Sequence, residues 1–565
     1  MRLAAAVLLA SSLFAPVAPA AQATVMPVKE ADYGSYVQGH LAQANGELGR
    51  AADYFAGALT YAPDDPELLR QTFDLAIAAG DERLAVGVGH RLARQDRFDS
   101  GVTLLLVADA IKSKRWKDAR EATARLTDAG FGSFIVPIID AWIAEARGKT
   151  ADGIRALDPE PLDGFARTYV LEHRAHLLFR AKRYAEAAEI YDELSKDDGG
   201  RNIRMRIAAA RALQAEKQPE EALKRLAASA GHVDVETAKA ALAAGTPIVG
   251  IPASASEGVA LLALRMAADL SRERPIPVAL TLARIATMLA PEQASGWLLT
   301  TELLAASERY EAALDAVRKV RGSDDEKALA LGQEAAILAR LDREPEAMQL
   351  LETAANAPGA RAEDLARYGD ALQSAKRFLD AAAAYDKALA LGPADPSIVW
   401  RLHFLKGSAL EQGGKWPEAE ASLREAIRLQ PADATLLNYL GYALLDRGLS
   451  KSEARILIEK AHALAPEDGY ITDSLGWAQY QAGEYAAAVD TLEQAVAAVA
   501  DDPVITEHLG DAYWMVGRRI EARHRWKAAL DAGPTPERAQ TLEAKYDYGL
   551  DLALRELAPK DTAKK

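Results

Sequence analysis

No cysteine occurs in the 565 residues. Disulfides, thiol nucleophiles, cysteine-ligated zinc and a lipid-modified N-terminal cysteine are therefore excluded. Aromatic residues make up only 6% of the chain while hydrophobic residues make up half, so the core must come largely from small aliphatic side chains that favour helix. Positive charge is also short. The 67 Lys and Arg face 82 Asp and Glu, a net charge of −15, which argues against a nucleic-acid binder, and no basic stripe interleaved with aromatics is present. Past the first two dozen residues no apolar stretch reaches the roughly 20 residues that a membrane span needs. A Gly-rich phosphate loop, a G-x-S-x-G elbow and an H-E-x-x-H pair are all missing. No catalytic residue, cofactor or metal is expected.

The N-terminus is the exception to the polar, alanine-rich pattern. Arg2, an apolar run from Leu3 to Phe14, breaks at Pro16 and Pro19, and the small-residue sites Ala18-Pro19-Ala20 and Ala21-Gln22-Ala23 read as a secretory signal over 1–23, cut after Ala20 or Ala23. An uncleaved anchor competes with this reading, but two prolines disfavour it. The mature chain is expected to be exported.

What the sequence has in abundance is a period. Leu440-Gly441, Leu475-Gly476 and Leu509-Gly510 place glycines 35 and then 34 residues apart. An alanine follows each at a near-constant distance (Ala454, Ala488, Ala522), with a second one seven residues later (Ala461, Ala495, Ala529). Two of these units close on Pro466 and Pro534, where the chain must leave the helix. Small residues recurring every 34 residues mark an array of helix pairs, the small side chains sitting where helix backbones approach closely. The unit resembles the tetratricopeptide repeat. Followed by the small residue of its second helix, the repeat runs Ala51, Ala85, Ala119, Gly153, Ala187, Ala222, Ala279, Ala313, Ala347, Ala381, Ala419, Ala454, Ala488 and Ala522, fourteen rungs mostly 34 or 35 apart. Apolar residues four positions on (Phe55, Tyr191, Val317, Leu351, Tyr385, Leu423, Ile458, Leu492, Trp526) are expected in the core.

The expected fold is thus all-α: a right-handed superhelical solenoid of about fourteen helix pairs, closed by a capping helix. Two irregularities stand out. The step from Ala222 to Ala279 is 57 residues, one repeat plus 23, and the stretch Ala243 to Gly258, rich in Gly, Pro and Ser, reads as unable to continue a helix. A joint over 237–259 is expected between an array at 24–236 and another at 260–536, a degenerate helix pair being the alternative. The 38-residue step to Ala419 is expected to lengthen a helix near Ser397 to Phe404. Thr535-Pro536-Glu537 is a good helix start, so 537–557 reads as the cap and 558–565 as a polar tail.

His173 and His176, three apart on a first helix, are the only pair with metal-ligand spacing. Solvated helix-face histidines are the preferred reading, a metal or unrecognised catalytic site the alternative.

The family resemblance implies binding along the first helices. Carried onto the matching positions it points to Phe404 and Glu411, then Asn438, Tyr442 and Asp446, then Tyr470, Asp473, Trp477 and Tyr480, and last Glu507, Asp511 and Trp514. Aromatics with carboxylates suit an apolar or basic polypeptide. Trp477 and Trp514 are expected to face the groove, Trp416 and Trp526 to pack between helices. The Lys and Asn set with which some members clamp a terminal carboxylate is missing, which argues against an acidic C-terminus as ligand. The segments Asn438-Tyr439-Leu440-Gly441-Tyr442, Asp473-Ser474-Leu475-Gly476-Trp477, His508 to Trp514 and Val516-Gly517-Arg518-Arg519 further resemble, over about 362–535, large envelope repeat proteins of Gram-negative bacteria. The best understood of these is a lipoprotein adaptor that presents cell-wall hydrolases to a carboxyl-terminal processing protease. The resemblance implies a periplasmic scaffold binding envelope proteins, such a protease and its substrates among them, although the lipid-attachment cysteine is absent here. A component of an exopolysaccharide or outer-membrane export machine is the alternative.

Overall fold

The computed structural model describes residues 33–556 apart from 96–98, 127–131, 161, 163, 197–200, 228, 230–232, 273–276 and 394–395. The proposed signal 1–23 and tail 558–565 lie outside these. Among the described residues there are thirty-one α-helices and no strand. Each of the fourteen rungs falls in the second helix of a pair, and every rung alanine is at most 6% exposed. The nine apolar residues four positions on are equally buried. Gly153 replaces alanine where an added Cβ would lie 2.7 Å from the Ala141 carbonyl oxygen. Gly476 is small for the same reason, since its Cβ would meet Leu492 Cγ at 2.6 Å.

Aspartates start many of the first helices. Asp433, Asp468 and Asp502 accept backbone N–H groups of Leu436, Ile471 and Ile505 at 3.0, 3.2 and 3.1 Å, satisfying donors a helix start leaves free. The four-residue excess before Ala419 does not lengthen a helix. It forms a 3-10 turn, Pro396–Ile398, ahead of Val399–Gln412, because Pro396 opens the segment with a fixed φ.

The helices form two compact units, and the units interleave in sequence. One takes the chain up to Glu216 and again Gly250–Arg321; the other takes Lys217–Val249 and Gly322 onward. The stretch expected as a joint, 237–259, holds the end of helix Val233–Ala243, a coil, and the start of helix Ala255–Leu270. Gly258 was expected to break a helix and instead lies within one, where the missing Cβ leaves room for the Trp142 ring (an added Cβ would come 2.1 Å from it).

In the first unit the hairpin of Ala255–Leu270 and Pro277–Leu289 packs on the following first helix, Ala294–Ala306, as a repeat does, but it also folds back over earlier helices. It lies on the first helices Pro66–Ala79, Ser100–Lys112 and Gly132–Ala146. Arg284 from the hairpin donates through Nε to the Ile77 carbonyl (3.0 Å) and through Nη2 to that of Ala78 (2.7 Å). It thereby caps the C-terminus of Pro66–Ala79; burial lowers its pKa to about 10. Arg265 pairs with the fully buried Glu172, donates to Thr168 Oγ1 at 2.9 Å, and lies 3.5 Å over the Tyr169 ring. The Tyr169 hydroxyl donates to Asp269 at 2.7 Å.

His173 and His176 are buried in this network rather than solvated. The indole N–H of Trp142 donates to His173 Nδ1 at 3.0 Å, and Tyr191 Oη sits 2.7 Å from His176 Nδ1. Burial holds the His173 imidazole down to about pKa 3 and lowers that of His176. Burial alone would raise the Glu172 carboxyl, but Arg204 and Arg265 outweigh it and hold it well below the usual range. Three carboxylate or imidazole groups able to share a metal ion do not come together anywhere among the described residues.

In the second unit the pairs from Asp324 to Asp531 follow one another, each first helix packing on the pair before it. Two helices, Pro536–Tyr548 and Leu550–Glu556, close the end. The expected single cap breaks at Gly549, where φ is +83° and a Cβ would meet the Trp514 ring at 2.2 Å.

Candidate functional site

The first helices of the second unit line a cavity of about 420 Å³, walled by Glu411, Asn438, Tyr439, Tyr442, Asp446, Arg447, Tyr470, Asp473 and Asp502. These residues come from three consecutive first helices, with Arg447 and Asp502 at helix caps. The cavity volume falls in the ordinary range for a binding site. Six of the twelve groove residues read from the sequence meet here: Glu411, Asn438, Tyr442, Asp446, Tyr470 and Asp473.

Several of the polar groups are already engaged. Tyr439 donates to Ser408 at 2.9 Å and to Glu411 at 3.3 Å. Arg447 pairs with Glu411 and sits 4.5 Å over the Trp416 ring. Asp473 lies 2.9 Å from His508 Nδ1. Burial, then Asp473 and Asp446, raise the Tyr442 hydroxyl to about pKa 12.

The other six expected groove residues are placed differently. Phe404 is half-buried, edge-on to Tyr439 at 5.1 Å. Trp477 is sandwiched between Tyr480 (4.7 Å) and His508 (4.0 Å), all three rings near parallel. Glu507, Asp511 and Trp514 lie beneath the C-terminal helices and are buried. Glu507 takes Arg538 at 2.7 Å and Lys545 at 2.6 Å; Asp511 takes Lys545 at 2.6 Å and the Trp526 indole N–H at 2.9 Å. Burial works to lower the Lys545 pKa, but the two carboxylates outweigh it and raise it. Trp514, expected to face the groove, instead donates its indole N–H to Asp551 at 3.2 Å. The reason is physical: each first helix supplies contacts to the next, and the cap acts as one more first helix. Tyr439 and Asp502 escaped the sequence reading. Asp502 carries a signal, an aspartate ahead of a helix start.

The first unit has a cavity of its own, about 540 Å³, between the hairpin and the first helices beneath it. Its walls are mainly apolar, and its charged groups serve one another: Arg70 donates to Asp74 at 3.2 Å and to Asp99 at 2.5 Å.

The tetratricopeptide repeat model matches residues 404–469 and 474–518, which span the 420 Å³ cavity. No curated protein matches the chain. Among solved structures it is similar to the Cut9–Hcn1 hetero-tetramer of APC/C, at 14% identity over 92% of this chain and 96% of that one, TM-score 0.38. It is similar to MamA at 26% identity over 29% of this chain and 93% of that one, TM-score 0.25. It is also similar to YrrB, described as a TPR protein with an unusual peptide-binding site, at 20% identity over 36% and 97%, TM-score 0.26.

Proposed function

We propose that this tetratricopeptide-repeat chain is a non-catalytic protein-binding scaffold of the bacterial envelope that holds a segment of another protein against Tyr442 and Asp446 in its second unit. The observation that carries the reading is the contrast between two first-helix faces. In the first unit the chain's own hairpin lies over that face and leaves a mainly apolar cavity beneath it, whereas in the second a cavity with aromatic and acidic walls has no hairpin over it among the described residues. Rigid aromatics supply contact area, and carboxylates select among partners. Export to the periplasm rests on the N-terminal pattern of Arg2 to Ala23. Presentation of substrates to a carboxyl-terminal processing protease rests on the resemblance over about 362–535.

The test is a photo-reactive residue placed in cells at Tyr442 and, as control, at Glu459, which is exposed on a second helix. Defined adducts with envelope proteins are expected at 442 and not at 459; equal adducts at both would reject the groove. A processing protease or a cell-wall hydrolase among the 442 adducts supports the adaptor reading, and their absence removes it. Fractionation that finds the chain retained in the cytosol would reject export.

A further inference from the structure

Three residues of helix Ala434–Asp446 fall on one face at intervals of four: Asn438, Tyr442 and Asp446. All three line the cavity, and each carries an oxygen that accepts hydrogen bonds. The Asn438 Oδ1 atom is buried with no partner. Neither the Tyr442 hydroxyl nor the exposed Asp446 carboxylate is hydrogen-bonded or ion-paired to any described residue. A buried acceptor without a donor is costly, so such a row is poised for a ligand that brings donors. The cation lining the cavity, Arg447, is committed to Glu411 and Trp416.

We infer that this row holds an arginine subsite: the partner segment sets an arginine on Tyr442 and Asp446 and runs on to Asn438. The inference rests on the groove reading above and narrows it to one chemistry. Guanidinium offers five N–H donors in a planar fork and no acceptor, which suits the Asp446 carboxylate and the Tyr442 hydroxyl one turn before it, and a backbone N–H of the same peptide suits Asn438. The flanking Tyr442 and Tyr470 rings offer faces on which such a cation can lie. The row spans about 12 Å, eight residues at a rise of 1.5 Å. That is longer than one guanidinium, so the ligand is a peptide carrying arginine rather than a free guanidine. The chain's own C-terminal helix supplies an internal precedent, with Arg538 reaching Glu507 on the neighbouring first helix.

The test selects random twelve-residue peptides displayed on phage against the immobilised full chain. Each winner is then measured in solution with every arginine replaced by isosteric, uncharged citrulline. Winners are expected to share an arginine whose replacement weakens binding at least tenfold. Asp446→Asn, at an exposed position where folding is not at risk, should weaken the arginine peptide by a similar factor and leave the citrulline peptide unchanged. Free arginine should not compete at the peptide's concentration. Peptides that need no arginine but lose binding to Tyr442→Ala would overturn the arginine assignment while leaving the groove intact. Peptides indifferent to both substitutions, or no winners at all, would overturn both.

Discussion

The two units are built from the same helix pair on the same small-residue rung, yet their first-helix faces meet opposite fates. In the first unit, residues 255–289 return across Pro66–Ala79, Ser100–Lys112 and Gly132–Ala146 and bury Arg265 and Arg284 there. In the second, the corresponding face holds an open cavity. A repeat sequence specifies how neighbouring pairs stack, because that is where the small residues act. Whether the remaining face is open depends on residues far away in the chain. Glu172 and Arg265 are 93 positions apart.

The largest expected way to break the contrast is Arg265→Ala. It leaves the fully buried Glu172 short of a partner, and stripping one member from a buried ion pair costs about 3–5 kcal/mol. The loss should appear in the unfolding of the first unit, followed by calorimetry or denaturant titration, while the second unit's transition stays in place. Equal losses in both would mean that the two do not unfold separately. Gly476→Leu acts on the second unit alone. Its side chain must enter the space of Leu492, and overpacking of this kind costs roughly 1–3 kcal/mol. A loss no greater than that of an exposed substitution would mean the rung register is wrong.

Acid separates the units further. His173 and His176 stay neutral when folded because burial depresses both, whereas the unfolded chain takes up protons below about pH 6.5. Proton uptake on unfolding makes the first unit less stable as pH falls through that value. His173 alone contributes about 2 kcal/mol of loss between pH 7 and 5. Glu172, depressed in the opposite sense of charge, stays ionised over this window and lends no slope until lower pH. Thermal melts of His173→Asn should show a flatter dependence; an unchanged slope would place the proton uptake elsewhere. The smallest effect concerns the turn inside each pair. Gly483 and Gly517 there have φ near +80°, while Lys114 and Lys182 in the first unit adopt φ of +54° and +61°. A side chain in that left-handed region costs roughly 1–2 kcal/mol, partly offset by glycine's greater freedom when unfolded. Lys114→Gly and Lys182→Gly should therefore each stabilise by about 1 kcal/mol or less, seen as a small rise in the first unit's melting temperature.

Much of this fold is legible in the sequence because its determinants are local. A Gly or Ala must sit where two helices touch, so Ala51 through Ala522 mark the pairs, and the core residues follow four positions later. The cap at Thr535 is equally local: its side chain accepts the Arg538 N–H. The failures lie outside the repeat pattern. His173 and His176 are buried against Trp142 and Tyr191, neighbours that a histidine spacing does not show. Gly258 sits where the Trp142 ring leaves no room for a Cβ. Of the groove, Tyr442 and Asp446 are legible from repeat position alone. Position could not reveal that Glu507 and Asp511 are taken by Lys545, since the cap follows no repeat pattern.

The absence of native cysteine allows the contrast between the two faces to be measured directly. Single cysteines at Asp446, on the open face, and at Val107, under the hairpin against Val259 and Leu282, would be labelled with a maleimide under native conditions. The account predicts fast labelling at 446 and labelling at 107 slower by more than about a hundredfold, limited by opening of the hairpin. Comparable rates at the two positions would contradict it.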